Sequence, residues 1–156
     1  MTDTPEPGFA NEPIIEYGPD AAGLRSILED ARTIAVVGLS SRPDRPSYDV
    51  SAYMQEHGYR IVPVNPKETE VLGQTAYPSL QDVPNDIHID IVDVFRRAES
   101  TPPVARDAVQ VGAKVLWLQE GIVNDEARRI AEHGGLTVIM GMCIRVVHHQ
   151  IDQGGN

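Results

Sequence analysis

Gly38-Leu39-Ser40-Ser41-Arg42-Pro43-Asp44-Arg45-Pro46-Ser47 puts a conformationally free glycine, a pair of adjacent hydroxyls and two guanidinium groups on ten consecutive residues. Residue types of this kind, close together, can hold an anion. The apolar run Thr33 to Val37 precedes the segment and an amphipathic stretch follows it. It therefore carries the chain from a strand to a helix N-terminus, where unpaired N–H groups and the helix dipole favour phosphate. Any strand-to-helix turn also favours Gly and Ser for local reasons, so this loop alone does not define a site. The placement of charge adds to it. Arg42 and Arg45 follow the first strand, Lys67 the second, and Arg96 and Arg97 the third, so five of thirteen basic residues fall at one rim of an acidic chain. Singly each would be a solubilising side chain. Together they suit a ligand with more than one phosphate.

The loop departs from the dinucleotide fingerprint G-x-G-x-x-G, because Ser40 stands where the second glycine would let a pyrophosphate lie against the backbone. After the second strand stands Asn65, not the acid that would bind a ribose diol. Both departures weigh against NAD. No catalytic constellation is present: there is no G-x-S-x-G elbow and no spaced set of metal ligands. His148 and His149 are adjacent and face different ways on a helix, and His57 falls on an apolar stripe, where a packed core residue is expected. Cys143 is the single cysteine. Such thiols are commonly buried and inert, but this one follows the fifth strand, at the edge where a ligand would lie.

These residues need a scaffold, and the pattern supplies one. Asp20 is placed to cap a helix bearing Leu24, Ile27, Leu28 and Ala31 at helical spacing. Strands are predicted at 33–37, 60–64, 87–94, 113–118 and 136–140. Helices are predicted to start near Ser47, at Ser100 or Thr101 with Pro102 in the first turn, after Asn124, and over 143–151. Gly58, Gly112 and Gly134-Gly135 are the expected stops. Alternation of apolar strands with amphipathic helices predicts an α/β, Rossmann-like doubly wound fold. Its five-stranded parallel sheet has helices on both faces, in a single domain. The order 3-2-1-4-5 is expected as the commonest for such a chain. Pro63 within the second strand costs that strand a ladder donor. Residues 1–18 read as a flexible N-terminal arm, 19–150 as the domain and 151–156 as a tail.

The chain of 156 residues suits one domain, and its lone cysteine suits a reducing compartment. The opening MTDTPEPG has neither the basic start nor the apolar stretch of a secretory leader, and no apolar run is long enough to span a bilayer. A cytoplasmic protein that does not bind membranes is the expectation. The net charge of −10 argues against nucleic acid as a partner but not against one small anion. A partner protein cannot be read from the chain.

The loop 38–47, Gly58-Tyr59-Arg60-Ile61-Val62-Pro63-Val64-Asn65-Pro66-Lys67, Leu72-Gly73, Val92-Asp93-Val94-Phe95-Arg96 and Leu116-Trp117-Leu118-Gln119-Glu120-Gly121 together resemble the stand-alone CoA-binding domain proteins. These share their fold with the nucleotide-binding domain of the succinyl-CoA synthetase α-subunit. The resemblance covers residues 20–147 and implies coenzyme A, or an acyl-CoA, as the ligand. It implies that Gly38, Leu39 and Ser40 hold the pyrophosphate region, with Arg45 and Lys67 on phosphates and Ser47 in the same loop. Asn65 and Pro66 would flank the adenine-ribose end, Phe95 and Arg96 would line the cleft, and Gln119 and Gly121 would border the pantetheine path, with Cys143 near the thiol. Relatives commonly carry Asp/Asn-Arg-Cys-Pro after the last strand, whereas this chain has Gly141-Met142-Cys143-Ile144, with Arg145 as a partial substitute for the missing arginine. Non-catalytic binding of the nucleotide is the expected function. The alternatives are an NAD(P)-binding reductase, or an acyl-CoA ligase component acting with a partner.

Overall fold

The computed structural model describes residues 16–154. Five parallel strands form the sheet: β1 (Thr33–Val37), β2 (Arg60–Val64), β5 (Ile91–Val94), β6 (Val115–Leu118) and β7 (Thr137–Ile139). A two-stranded hairpin, β3 (Glu70–Val71) and β4 (Gln74–Thr75), follows β2. The helices are α1 (Ala21–Asp30), α2 (Pro46–Glu56), α3 (Thr101–Gln110), α4 (Asp125–His133) and α5 (Ile144–Gly154).

Every residue of β1, β5 and β6 is buried. That is the condition of strands covered on both faces. One face packs on α3 and α4 through residues such as Ala105, Ala108, Ala127 and Ala131. The other packs on α1, α2 and α5 through Leu28, Val50, Met54, Ile144 and Val147. The small alanines let α3 and α4 lie close to the sheet and to each other. Asp20 and Asn124 cap α1 and α4 as expected, accepting from the N–H groups of Gly23 and Ala127.

Several details differ from expectation. The strand order is β2-β1-β5-β6-β7, so the third central strand lies beside the first, not outside the second as in a 3-2-1-4-5 sheet. The segment after β2 forms a short hairpin and returns across β1, leaving β2 at the edge. Pro63 is tolerated there: its carbonyl accepts from the Tyr77 N–H at 3.0 Å, and its missing donor is not needed by an inner neighbour. The third strand starts only at Ile91, because the Asp90 carboxylate accepts from the N–H groups of Arg32 and Thr33 and ties the lead-in to the start of β1. Residues 1–15 of the expected arm lie outside the described residues. Tyr17, counted in that arm, pairs antiparallel with Met140. The expected tail is helical through Gly154, as the end of α5.

Candidate functional site

The reversal of strand order lies between β1 and β5, and ligands of open α/β sheets bind at such a crevice. Gly38 and Phe95 directly follow these two strands and face each other across it. Gly38 has a φ of +91°, and a Cβ there would stand 2.3 Å from the Phe95 carbonyl oxygen. Only glycine fits. The Arg96 guanidinium lies over the same spot, its Nε 3.5 Å from that Cβ position. Among the described residues, Arg45, Lys67 and Arg96 have no ion-pair partner.

The expected phosphate loop is tied largely to itself. Ser47 is buried, and its Oγ accepts from the Ser40 N–H at 3.0 Å. The Ser40 Oγ accepts from the Arg42 N–H, and the Gly38 N–H donates to the Val64 carbonyl. Leu39 is fully buried in the core. Asn65 is also turned inward: its Nδ2 donates to the Leu39 carbonyl and its Oδ1 accepts from the Lys67 N–H, both at 3.0 Å. Ser47, Leu39 and Asn65 thus shape the loop from beneath, while Pro66 and Lys67 are exposed above it. Arg45 is exposed as the residue preceding α2.

A cleft of about 1000 Å³ opens beyond β6 and β7, lined by Glu120, Gly121, Gly141, Met142, Cys143 and Val147 among others. Among the described residues no Lys or Arg lines it, and its charged groups are the Glu16 and Glu120 carboxylates. Gly121 and half-buried Cys143 are brought together here, apart from the residues of the 38–47 loop. From β1 to β6 is about 10 Å at ordinary strand spacing, so both regions share one rim of the sheet. Trp117 sets the cleft wall: its Nε1–H donates to the Met142 carbonyl at 2.8 Å. Arg145 is not a substitute for the missing arginine. It pairs with Asp49 and lies over the Tyr53 ring, on the side of α2. His57 is exposed and stacks on Tyr53, not in the core.

Beneath both regions lies a buried polar bridge. Gln119, only 4% exposed, donates through Nε2 to the Asp93 carboxyl and accepts from the Ile144 N–H at the start of α5. Its side chain therefore links the ends of β6 and β5 to the start of α5. Burial pushes the Asp93 carboxyl up to about 8, with the Gln119 and Val94 hydrogen bonds opposing. It is neutral at pH 7, so no buried negative charge sits under the crevice. An acid inside the apolar run Ile91 to Val94 was the sequence signal for this bridge. Among the described residues no cluster of three or more metal-ligating side chains occurs, and no helix is long and apolar enough to cross a membrane.

Comparison with known proteins places the chain in a family and matches its fold. Residues 32–149 match the family described as CoA binding domain. The chain is 49% identical over 130 residues to uncharacterized protein YneT of Bacillus subtilis (strain 168), spanning 83% of this chain and 95% of that one. It is 27% identical over 126 residues to the α subunit of the ADP-forming acetate–CoA ligase II of Pyrococcus furiosus, covering 75% of this chain but 28% of the subunit. A solved structure of a hypothetical protein from Pyrococcus horikoshii OT3 superposes with a TM-score of 0.82 at 37% identity, covering 96% and 98% of the two chains.

Proposed function

The chain belongs to the CoA-binding domain family, and from that premise we propose that it binds coenzyme A or an acyl-CoA without turnover. The phosphates lie along the loop 38–47 and the rim cations, and the pantetheine arm runs toward the cleft at Gly121 and Cys143. The observation that carries this reading is the Arg96 guanidinium beside the Gly38 backbone, at the point where strand order reverses. A charged donor fork without an ion-pair partner at the strand-order reversal suits a phosphate. The cleft without cations suits the uncharged arm.

Stripped of co-purified ligand, the protein should be stabilised against heat by CoA and much less by NAD. At a hundred times its dissociation constant a ligand adds about 2.7 kcal/mol, or about 5–10 °C in Tm for a domain of this size. A larger shift with NAD would overturn the reading. Arg96→Ala should weaken CoA binding about tenfold, the loss of a charge-assisted hydrogen bond, while Tm of the free protein stays within a degree or two. Unchanged affinity in calorimetry would remove Arg96 from the site.

A second reading, a component of an acyl-CoA ligase working with another chain, is favoured by the likeness to ligase subunits of which this chain spans about a quarter. It predicts that CoA binding is kept and that a ligase activity emerges only when the complementary domains are supplied.

A further inference from the structure

We propose that the backbone N–H and hydroxyl of Ser41 form a subsite for a phosphate group, closed in the free protein by the carboxylate of Glu68. The Ser41 N–H and Oγ–H both donate to Glu68 Oε2, at 2.9 and 3.0 Å. Two donors converging on one carboxylate oxygen are the arrangement that receives a phosphate oxygen. The other loop amides that hydrogen-bond do so to neutral partners built into the fold: Gly38 to the Val64 carbonyl, Ser40 to Ser47, Arg42 to Ser40 and Arg45 to the Arg42 carbonyl. The Ser41 pair alone is held by a charged side chain. Glu68 is anchored through its own N–H to the Asn65 carbonyl at 3.2 Å, so its side chain can swing out while the turn stays in place.

The surroundings favour exchange. Arg42, Arg45 and Lys67 are exposed around the loop, and a phosphate carries more charge to meet them than a carboxylate does. Both anions cannot occupy the same donors, and repulsion drives Glu68 outward once phosphate enters. Glu68 therefore lowers affinity and keeps the loop ordered when empty, a cost that its removal lifts. That the phosphate belongs to CoA rests on the proposed function; the subsite itself does not.

Titration of wild type and Glu68→Ala with CoA in a calorimeter, and with inorganic pyrophosphate while following the Ser41 amide by NMR, tests this. Glu68→Ala should bind CoA about tenfold tighter. Its Ser41 amide should shift at lower pyrophosphate concentration than in wild type. Glu68→Gln, which keeps an acceptor without the charge, should fall between. Adding Ser41→Ala to Glu68→Ala should reverse much of the gain. Weaker or unchanged CoA binding in Glu68→Ala would mean that the carboxylate only buttresses the loop, and the subsite would be overturned. A Ser41 amide indifferent to pyrophosphate would overturn it too. A shift with pyrophosphate, but no binding of CoA to either protein, would leave the subsite standing and remove CoA as its ligand.

Discussion

Asp93→Asn should abolish a stability loss that wild type suffers as pH rises from 5 to 8. The Asp93 carboxyl is 1% exposed and is held up to about 8 in the folded protein, chiefly by burial. In the unfolded chain an aspartate titrates near 3.9. Between these values the unfolded chain has released the proton and the folded chain keeps it, so each rise in pH favours unfolding. The slope is about 1.4 kcal/mol per pH unit, on the order of 4 kcal/mol over three units. Asparagine is neutral throughout, and its carbonyl can accept from Gln119 Nε2 as the carboxyl does. Denaturant titrations at pH 5, 6, 7 and 8 should therefore show the variant gaining steadily on wild type. Parallel curves would mean that Asp93 is ionised in the fold, and that the crevice floor carries a negative charge after all.

Gly38→Ala should destabilise the protein on the order of 4 kcal/mol and eliminate ligand binding. Two costs combine. An L-residue at a φ of +91° is strained by about 1–3 kcal/mol, and the added methyl must push apart backbone at 2.3 Å, an overpacking cost of about 1–3 kcal/mol. The atom it meets is the Phe95 carbonyl oxygen, part of the β5 backbone and not a side chain that can rotate away. Relief requires β1 and β5 to separate where the phosphate would sit. Gly121→Ala is the matched control, because its φ is +82° but nothing lies within 4 Å of its Cβ position. Thermal melts should show a fall of about 10 °C or more for Gly38→Ala and a few degrees for Gly121→Ala. Equal falls would show that the close approach across the crevice plays no part.

The two variants probe different layers of one design. Asp93 and Gln119 tie β5, β6 and the start of α5 together below the crevice. Gly38 and Phe95 set how closely the two strand ends approach above it.

The strands, the caps and the class of fold were legible in the chain because their causes are local. Thr33 to Val37 and Val115 to Leu118 are apolar throughout, and Asp20 and Asn124 cap helices through N–H groups three residues on. The rim cations were legible for the same reason, since strand ends locate the loops that follow them. The short hairpin at 70–75 was not, because two-residue strands carry no periodicity. Strand order was not legible either. It depends on which side of β1 the chain takes after β2, and that choice brings Gly38 against Phe95, 57 residues away in the sequence. The same holds for the polar side chains. Ser47 and Asn65 could as well face a ligand as the loop, and only the tertiary structure turns them inward onto Ser40 and Leu39. Glu68 meets Ser41 across 27 residues, and Gln119 meets Asp93 across 26. Composition reports which groups can bind an anion or bury a proton. Which partner each one finds is decided by packing between distant segments, because burial leaves a polar group few alternatives once its neighbours are in place.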